Sequence, residues 1–384
     1  MTGNLTIALA ALSCGAFVAL TEPVTIPLLR RAAAMDVPCL RSSHTIPTPR
    51  GGGAPIAVGL VVTAMLIHSA LAVTFAVAIA AFAAIGFADD LRGLPVGRRL
   101  MLQGTCSAAI AAALVGRTDL PPVALIAAGT VVAIWLVGFV NVFNFMDGVN
   151  GISAAHALIG GVAFACLGEW RQYVFLAAAG AAVAASAFAF LPWNAVRARV
   201  FLGDVGSYGL GVALAVLAVC AVIVGIPVEA VLGPLALYLA DTAYTLQRRI
   251  RAGERWSEPH RTHTYQQWCD AGWSHQRVTT VTSAATALLC LLGAASLAGR
   301  PELRVAADAA GLGVLALYLR SPVLLGRPGV PQLAPPQLAG PQLAGLQLAG
   351  PQLAGLQLAG LQLAGPQPAG PPLAGSELAA PEMA

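Results

Sequence analysis

The stretch LAVTFAVAIAAFAAIGFADDLRGL at residues 71–94 shows in one segment how this chain is built. Residues 71–88 are almost wholly apolar, and they match the roughly 20 residues that an α-helix needs to cross a hydrocarbon layer of about 30 Å. The apolar part then stops at two adjacent carboxylates, Asp89 and Asp90. An acid at mid-bilayer would cost about 2.5–3.5 kcal/mol. The stretch therefore predicts a transmembrane helix that carries its acids to the membrane surface.

The rest of the chain has the same character. Of 384 residues, 58% are hydrophobic and only 10% are charged, and the mean hydropathy is +0.77, which excludes an ordinary soluble domain. We expect an all-α, polytopic membrane protein with about 10–11 transmembrane helices. The apolar runs that define them lie near residues 5–22, 54–69, 71–88, 101–117, 121–140, 151–168, 172–191, 206–225, 228–247, 278–297 and 303–320, with the second and third running together.

Arginines collect on one side of these alternating runs, and all 21 basic residues are arginine. The poor side carries Arg117, Arg171, Arg300 and Arg304. The rich side carries Arg30, Arg31, Arg41, Arg50, Arg92, Arg98, Arg99, Arg197, Arg199, Arg248, Arg249, Arg251, Arg255, Arg261 and Arg277. The positive-inside rule makes the rich side cytoplasmic. The N-terminus then faces outward, and we expect its first apolar run to be retained, because it lacks a basic n-region and a convincing cleavage site.

Five segments face the cytoplasm in this arrangement, and they hold nearly every residue capable of chemistry. They are residues 30–53, 89–100, 141–150, 192–205 and 248–277. We expect a membrane domain over residues 1–325. Residues 326–384 follow as a low-complexity tail of PQLAG and LQLAG repeats, whose prolines disfavour regular structure. For this tail we expect disorder and no specific function.

Asp89 and Asp90 end their helix on the side where the helix dipole disfavours an anion. Arg92, Arg98 and Arg99, or a divalent metal, are the cations available to offset the pair. A solvated helix end that pairs with these arginines is the alternative to a functional site.

A second polar group follows the apolar run that ends in NVFNFMDGVNGIS, residues 141–153. Asn144, Asp147 and Asn150 recur at three-residue spacing, so they share one face if the segment stays helical. Oxygen ligands on one face suit Mg²⁺, which binds through one or two carboxylates and substrate phosphates. A loop with an Asp-Gly turn is the alternative.

The third acidic stretch, FLGDVGSYGLG at residues 201–211, places Asp204 just before an apolar run. An acid at a helix N-terminus is favoured by the dipole, so Asp204 is either an ordinary N-cap or a metal ligand. The neighbouring Gly203 and Gly206 also suggest a phosphate cradle at this helix start.

A basic loop, HTIPTPRGGGAPI at residues 44–56, combines two stiffening prolines, Arg50 and three glycines. Free backbone amides and a planar guanidinium suit a diphosphate, so the loop predicts either diphosphate binding or a structural turn. Asp241 precedes Arg248 and Arg249 and is either a polar site or an ordinary helix end. His260 and His263, in the longest inner loop, lack the further partners of a zinc site.

In this order the motifs resemble those of the polyprenyl-phosphate N-acetylhexosamine-1-phosphate transferases of glycosyltransferase family 4, which include phospho-N-acetylmuramoyl-pentapeptide translocase. The shared elements are PTPRGGG, a DD pair that ends a span, N-x-x-N-x-x-DG-x-x-G, F-x-GD-x-GS, D-x-x-x-x-x-x-RR and a histidine-rich inner loop. The resemblance covers roughly residues 1–320.

The resemblance implies a role for nine residues. Asp89 and Asp90 match the acidic pair near the lipid phosphate, and Asp204 matches the residue that holds the metal. Asp147 joins these three as a catalytic residue and is a second metal ligand. The substrate-binding positions are Arg50, Asn144, Asn150, Phe201 and His263, with Phe201 matching an aromatic that stacks on uracil. The implied cofactor is Mg²⁺, with Mn²⁺ as an alternative.

Two motifs depart from the family pattern. Asn150 stands where the family usually has aspartate, which removes one negative charge near the metal. The usual H-x-HH is represented by His263, Tyr265 and Gln266, which resembles the branch that starts O-antigen chains with a 6-deoxy-N-acetylhexosamine such as FucNAc or QuiNAc. The sugar implied for this chain is such a 6-deoxy sugar or GlcNAc.

The implied function is transfer of an N-acetylhexosamine-1-phosphate from a UDP-sugar to undecaprenyl phosphate, with release of UMP, to start O-antigen or another cell-envelope polysaccharide. The implied location is the bacterial inner membrane, among membrane lipids, with the active site on the cytoplasmic face. We expect no nucleic acid as a partner and leave a homodimer open. The alternatives from other classes are a polytopic transporter without transferase activity and a non-catalytic scaffold.

Overall fold

The computed structural model describes residues 3–32, 34–38, 46–255 and 260–325. This part of the chain is built almost wholly from α-helices, with two short antiparallel strands that pair Met35 with Pro49 and Asp36 with Thr48. In order the elements are α1 (Gly3–Arg31), β1 (Met35–Asp36), β2 (Thr48–Pro49), α2 (Ala54–Leu66), α3 (Ala70–Arg92), α4 (Val96–Val115), α5 (Pro122–Phe145), α6 (Ile152–Arg171), α7 (Val174–Asn194), α8 (Gly203–Ile223), α9 (Val228–Leu232), α10 (Ala236–Arg251), α11 (Thr264–Asp270), α12 (His275–Ala294) and α13 (Pro301–Leu324), with a 3-10 turn at Ala295–Ala298. The tail predicted for residues 326–384 lies outside the described residues.

The prediction of an all-α, multi-pass membrane protein is confirmed. Within the described residues, seven helices are long and apolar enough to cross a membrane. They are α1, α3, α5, α6, α7, α8 and α12, the last counted together with its 3-10 turn. Of the other predicted spans, α2 and α10 are shorter, and α4 and α13 are more polar.

The structure places helix boundaries inside two continuous apolar stretches of the sequence, residues 54–88 and residues 228–247. The runs near residues 54–69 and 71–88 are separate helices, because the Ser69 hydroxyl accepts a hydrogen bond from the Ala72 N–H at 3.0 Å and begins α3. The run near residues 228–247 is divided between α9 and α10. These breaks depend on polar caps and turns that an apolar pattern does not contain.

Helix α8 lies at the centre of the bundle and is buried along nearly its whole length. It packs against α3 and α5, and it also contacts α2, α6 and α7. Small residues permit this close packing: a Cβ at Gly53 would lie 2.1 Å from Gly206 Cα, and one at Gly86 would lie 2.1 Å from the Asp204 carbonyl oxygen. In a membrane, where the hydrophobic effect does not drive helices together, such close contact is a principal source of stability. It brings the ends of α2, α3 and α8 together.

Candidate active site

The carboxylate of Asp90 caps a helix other than its own. It lies in the last turn of α3 and accepts hydrogen bonds from the N–H groups of Asp204 and Val205, both at 2.9 Å, in the first turn of α8. These amides are among the donors that every helix start leaves without an intrahelical partner, and the α8 dipole favours an anion there. The acid that α3 disfavours is therefore stabilised by α8.

Arg50 joins Asp90 to Asp204. Its Nε lies 2.6 Å from Asp90 Oδ1, and its Nη2 lies 2.8 Å from Asp204 Oδ1. Burial by itself lowers the pKa of the Arg50 guanidinium, but the charges of Asp204 and Asp90 outweigh it and raise that pKa above its ordinary value. Of the three arginines expected to offset the Asp89–Asp90 pair, Arg99 contacts Asp89 at 3.2 Å. The cation on Asp90 is Arg50, which sequence reasoning assigned to a different role.

The backbone of the glycine loop pairs with the chain that enters α8. The N–H groups of Gly51 and Gly52 donate to the Phe201 carbonyl at 3.2 and 2.9 Å, and the Gly53 N–H donates to the Leu202 carbonyl at 2.8 Å. The prediction that free amides of this loop wrap a diphosphate is therefore wrong for these three groups. The predicted phosphate cradle at Gly203 and Gly206 is filled in part, since Asp90 occupies the N–H groups of Asp204 and Val205 between the two glycines.

Asn144 connects α5 to α8. Its Nδ2 donates to Asp204 Oδ1 and to Ser207 Oγ, both at 2.9 Å. Asp204 lies in the first turn of α8, whose N-cap residue is Leu202, so Asp204 is not an ordinary N-cap. Its Oδ1 atom forms an ion pair with Arg50 and accepts a hydrogen bond from Asn144, so three of the predicted site residues are in direct contact.

The segment after Asn144 does not stay helical. Helix α5 ends at Phe145, and a turn leads to Gly151, which has a φ of 78° and whose N–H donates to Asn194 Oδ1 at 2.7 Å. Asn144, Asp147 and Asn150 therefore do not share one helical face. Asn150 is held through its backbone: its N–H lies 3.4 Å from His275 Nδ1, and its carbonyl accepts from Thr279 Oγ1 at 2.8 Å.

Asp147 lies half-buried in this turn. Burial raises the pKa of its carboxyl group to about 7, and the nearby negative charges of Asp204 and Asp90 act in the same direction. The pKa of the Asp147 carboxyl group is therefore close to neutral pH, and a cation beside it would favour the carboxylate form.

Asp89 is held by three donors from three parts of the chain. Its Oδ1 accepts from the Leu94 N–H at 2.7 Å, and its Oδ2 accepts from Arg99 Nη1 at 3.2 Å and from Tyr208 Oη at 2.9 Å. The residue is only 7% exposed. This carboxylate braces the junction of α3, α4 and α8, and its lone pairs are largely occupied.

His263 pairs with Asp241. Its Nδ1 lies 3.2 Å from Asp241 Oδ1, and both residues are buried. Asp241 also accepts from the Thr264 N–H and Thr245 Oγ1, both at 3.1 Å, and from Tyr318 Oη at 2.7 Å.

Helix α11, which follows His263, is joined to the C-terminal end of α5, because Tyr265 Oη donates to the Phe145 carbonyl at 3.0 Å.

Phe201 contributes its backbone to the site. It forms a parallel bridge with Arg50, and its N–H donates to the Pro49 carbonyl at 2.8 Å. Three contacts were missed in the sequence: Ser207 with Asn144, Tyr208 with Asp89, and Asn194 with Gly151. For two of them a signal existed, because Ser207 and Tyr208 follow Asp204 by three and four residues and so share its face of α8.

The chain is similar in sequence to several known proteins. A sequence model of glycosyl transferase family 4 matches residues 72–222, which contain Asp89, Asp90, Asn144, Asp147 and Asp204. A decaprenyl-phosphate N-acetylglucosaminephosphotransferase of Mycobacterium tuberculosis is 30% identical over 305 residues, which cover 68% of this chain and 75% of that protein. The chain belongs to glycosyl transferase family 4.

Other relatives of this family 4 protein differ in the sugar that their names specify. A probable undecaprenyl-phosphate N-acetylglucosaminyl 1-phosphate transferase of Bacillus subtilis is 27% identical over 277 residues, or 67% of this chain and 76% of the relative. A phospho-N-acetylmuramoyl-pentapeptide-transferase of Alkaliphilus metalliredigens is 29% identical over 313 residues, or 71% and 92%.

Proposed function

We propose that this family 4 protein transfers an N-acetylhexosamine-1-phosphate group from a UDP-sugar to undecaprenyl phosphate and releases UMP. The observation that carries the proposal is the contact of Arg50, Asp90, Asn144 and Asp204 where α3 and α5 end and α8 begins. A charged frame at the ends of apolar helices is reachable both by a lipid phosphate in the membrane and by a nucleotide in water. The names of its relatives support the same substrate classes.

The reaction we propose is a direct displacement. A phosphate oxygen of the lipid forms a bond to the β-phosphorus of the UDP-sugar, and the bond from that phosphorus to the UMP oxygen breaks. The second pKa of a phosphate monoester is about 6, so the acceptor is already mostly a dianion at neutral pH. The reaction therefore needs no strong general base from the protein. Arg50 and Asn144 would orient the phosphates, and the guanidinium would offset their charge.

Asp204 and Asp147 are the residues we propose to hold Mg²⁺, or Mn²⁺ in its place. Within the described residues, three or more acidic, histidine or cysteine side chains do not gather at one point, but Mg²⁺ needs only one or two protein carboxylates beside substrate phosphates. The fit rests on Asp204, which already carries a cationic partner and is 16% exposed at its side chain. When bound, the ion would supply positive charge for the departing UMP.

The location and the sugar belong to the same proposal. The arginine-rich ends of the helices would face the cytoplasm by the positive-inside rule. The proposed location is the inner membrane of a bacterium, with the reaction on its cytoplasmic face. The donor would be a UDP-GlcNAc or a UDP-linked 6-deoxy sugar such as FucNAc or QuiNAc, and the product would start O-antigen or another cell-envelope polysaccharide. A homodimer stays a prediction.

Purified protein should convert undecaprenyl phosphate to a lipid-linked sugar diphosphate. We would incubate it with UDP-GlcNAc, UDP-FucNAc and UDP-QuiNAc in turn and identify the lipid product by mass spectrometry, with UMP release measured in parallel. One sugar should give product at a rate well above the others. If no sugar yields product or UMP from protein that is folded in detergent, a transporter or a scaffold becomes the better explanation.

Exchange of labelled UMP into UDP-sugar should not occur without lipid acceptor. The alternative route forms a phospho-aspartate on Asp89, but three donors hold that carboxylate, which favours the direct route. The measurement uses delipidated protein, labelled UMP and UDP-sugar. Adding undecaprenyl phosphate to the same sample is the control, since reversal of the full reaction then gives exchange. Robust exchange before that addition would overturn the direct mechanism.

A further inference from the structure

We infer that Arg50 is a built-in counter-ion for Asp204, which competes with a divalent cation for this carboxylate and passes to a nucleotide phosphate when the cation binds. This inference rests on the proposed metal role of Asp204. It adds an energetic coupling between metal binding and nucleotide binding, such that each ligand raises the affinity for the other.

The geometry divides the guanidinium between two acids. The Nε arm is 2.6 Å from Asp90 Oδ1, and the Nη2 arm is 2.8 Å from Asp204 Oδ1. Asp204 Oδ1 also accepts from Asn144 at 2.9 Å, so this oxygen already has two donors. The Arg50 side chain is 36% exposed, so water, metal ions and nucleotides can reach it. Arg50 thus occupies a position on the Asp204 carboxylate that a bound metal ion would also take.

Electrostatics decide which contact yields. A guanidinium and a divalent ion on one carboxylate repel each other, and at equal distance the divalent ion, with twice the charge, attracts the carboxylate more strongly than the guanidinium does. Asp90 does not depend on Arg50 alone, because the amides of Asp204 and Val205 bind both of its oxygens. The arm on Asp204 is therefore the one that is released.

The release requires no change in the backbone. The Arg50 N–H donates to the Ala34 carbonyl at 2.9 Å, and its neighbours on both sides pair with Phe201. Only side-chain rotation is needed to turn the freed Nη2 group toward solvent. A guanidinium is well suited to phosphate oxygens, since it presents several donors in one plane.

Linkage makes the effect reciprocal. If a metal ion frees Arg50 for phosphate, then a phosphate that engages Arg50 must raise the affinity of Asp204 for metal by the same factor. The wild-type protein should therefore bind metal weakly alone and more tightly with nucleotide. Removing the guanidinium should strengthen metal binding in the absence of nucleotide and reduce the gain in metal affinity that nucleotide causes.

The test measures Mn²⁺ binding by electron paramagnetic resonance on the full chain in detergent, with and without UMP and after correction for Mn²⁺ bound by UMP itself. Arg50→Gln should bind Mn²⁺ about tenfold more tightly than wild type without UMP, because one positive charge is lost beside the site. UMP should raise the Mn²⁺ affinity of wild type by a clearly larger factor than that of Arg50→Gln, in which only direct contact between phosphate and metal remains. Arg92→Gln is the matched control: it removes an exposed arginine two residues from Asp90 and should behave as wild type.

Two further variants separate the possible failures. Asp204→Asn should lose this Mn²⁺ binding; if it binds as wild type, the proposed metal role of Asp204 falls. If Asp204→Asn loses binding but Arg50→Gln matches wild type with and without UMP, the metal role stands and the Arg50 inference is overturned. Arg50→Lys retains the charge and guards against misfolding of the glutamine variant. Its Mn²⁺ affinity should stay closer to wild type, and an affinity as tight as that of a folded Arg50→Gln would contradict charge competition.

Discussion

Asp204→Ala is expected to lower sugar-phosphate transfer about 10³-fold or more, while the protein still inserts in the membrane. The carboxylate is the group on which Arg50 and Asn144 converge, and it is the proposed ligand of the metal that offsets charge on UMP. Its loss removes that ligand and one of the two acids that position Arg50. The measurement is UMP release by purified protein at saturating UDP-sugar and lipid acceptor.

Two variants control this prediction. Asp204→Asn keeps the volume and can still bond to Asn144, so a comparable loss of activity would identify the charge as the important property. Asp119→Asn removes an exposed acid elsewhere in the chain and should retain wild-type turnover. If Asp204→Ala transfers sugar phosphate at the wild-type rate, the metal assignment is wrong.

Gly86→Ala is expected to destabilise the folded protein by about 3 kcal/mol and to remove most activity. A Cβ at this position would lie 2.1 Å from the Asp204 carbonyl oxygen, 2.4 Å from its carbon and 2.7 Å from the Val205 nitrogen. These are backbone atoms, which cannot move aside as a side chain can. Helices α3 and α8 would have to separate, which would move the Asp90 carboxylate out of hydrogen-bonding distance of the α8 amides. Thermal unfolding in detergent and UMP release measure the two effects.

Gly138→Ala is the matched control for this packing contact. Gly138 lies within α5, and its added Cβ would meet nothing within 4 Å among the described residues. Its unfolding temperature should equal or slightly exceed that of wild type, because alanine favours a helix more than glycine does. A Gly86→Ala protein with wild-type stability and activity would show that the close α3–α8 contact is not needed.

Much of the membrane architecture could be predicted from the sequence. Predicted runs near residues 121–140, 151–168, 172–191 and 206–225 agree with α5 to α8 within a few residues. The agreement has a simple cause: the bilayer imposes both the length and the apolar character of a span. Where the chain leaves that regime, as at Ser69 or between α9 and α10, hydrophobicity carries no information about where a helix ends.

The site was predicted less completely. Asn144 and Asp204 were both identified, and the structure joins them by a hydrogen bond of 2.9 Å. The glycine loop was recognised but misinterpreted, because an isolated sequence does not show that its amides are already paired with Phe201 and Leu202. His263 was assigned to substrate, whereas its hydrogen-bonding partner is the buried Asp241.

The class of protein, the approximate positions of its spans and the end of the bundle that holds its acids could all be predicted from the pattern of amino acids. These properties follow from hydrophobic length and charge asymmetry, which are local. The partner of each acid is seen only in the packed helices: Asp90 caps α8, Arg50 bridges Asp90 and Asp204, and Arg99 holds Asp89. Those pairings join residues up to 154 positions apart, from Arg50 to Asp204. They depend on how closely the small residues of α2, α3 and α8 allow the backbones to approach, and this is a property of the packed helices together.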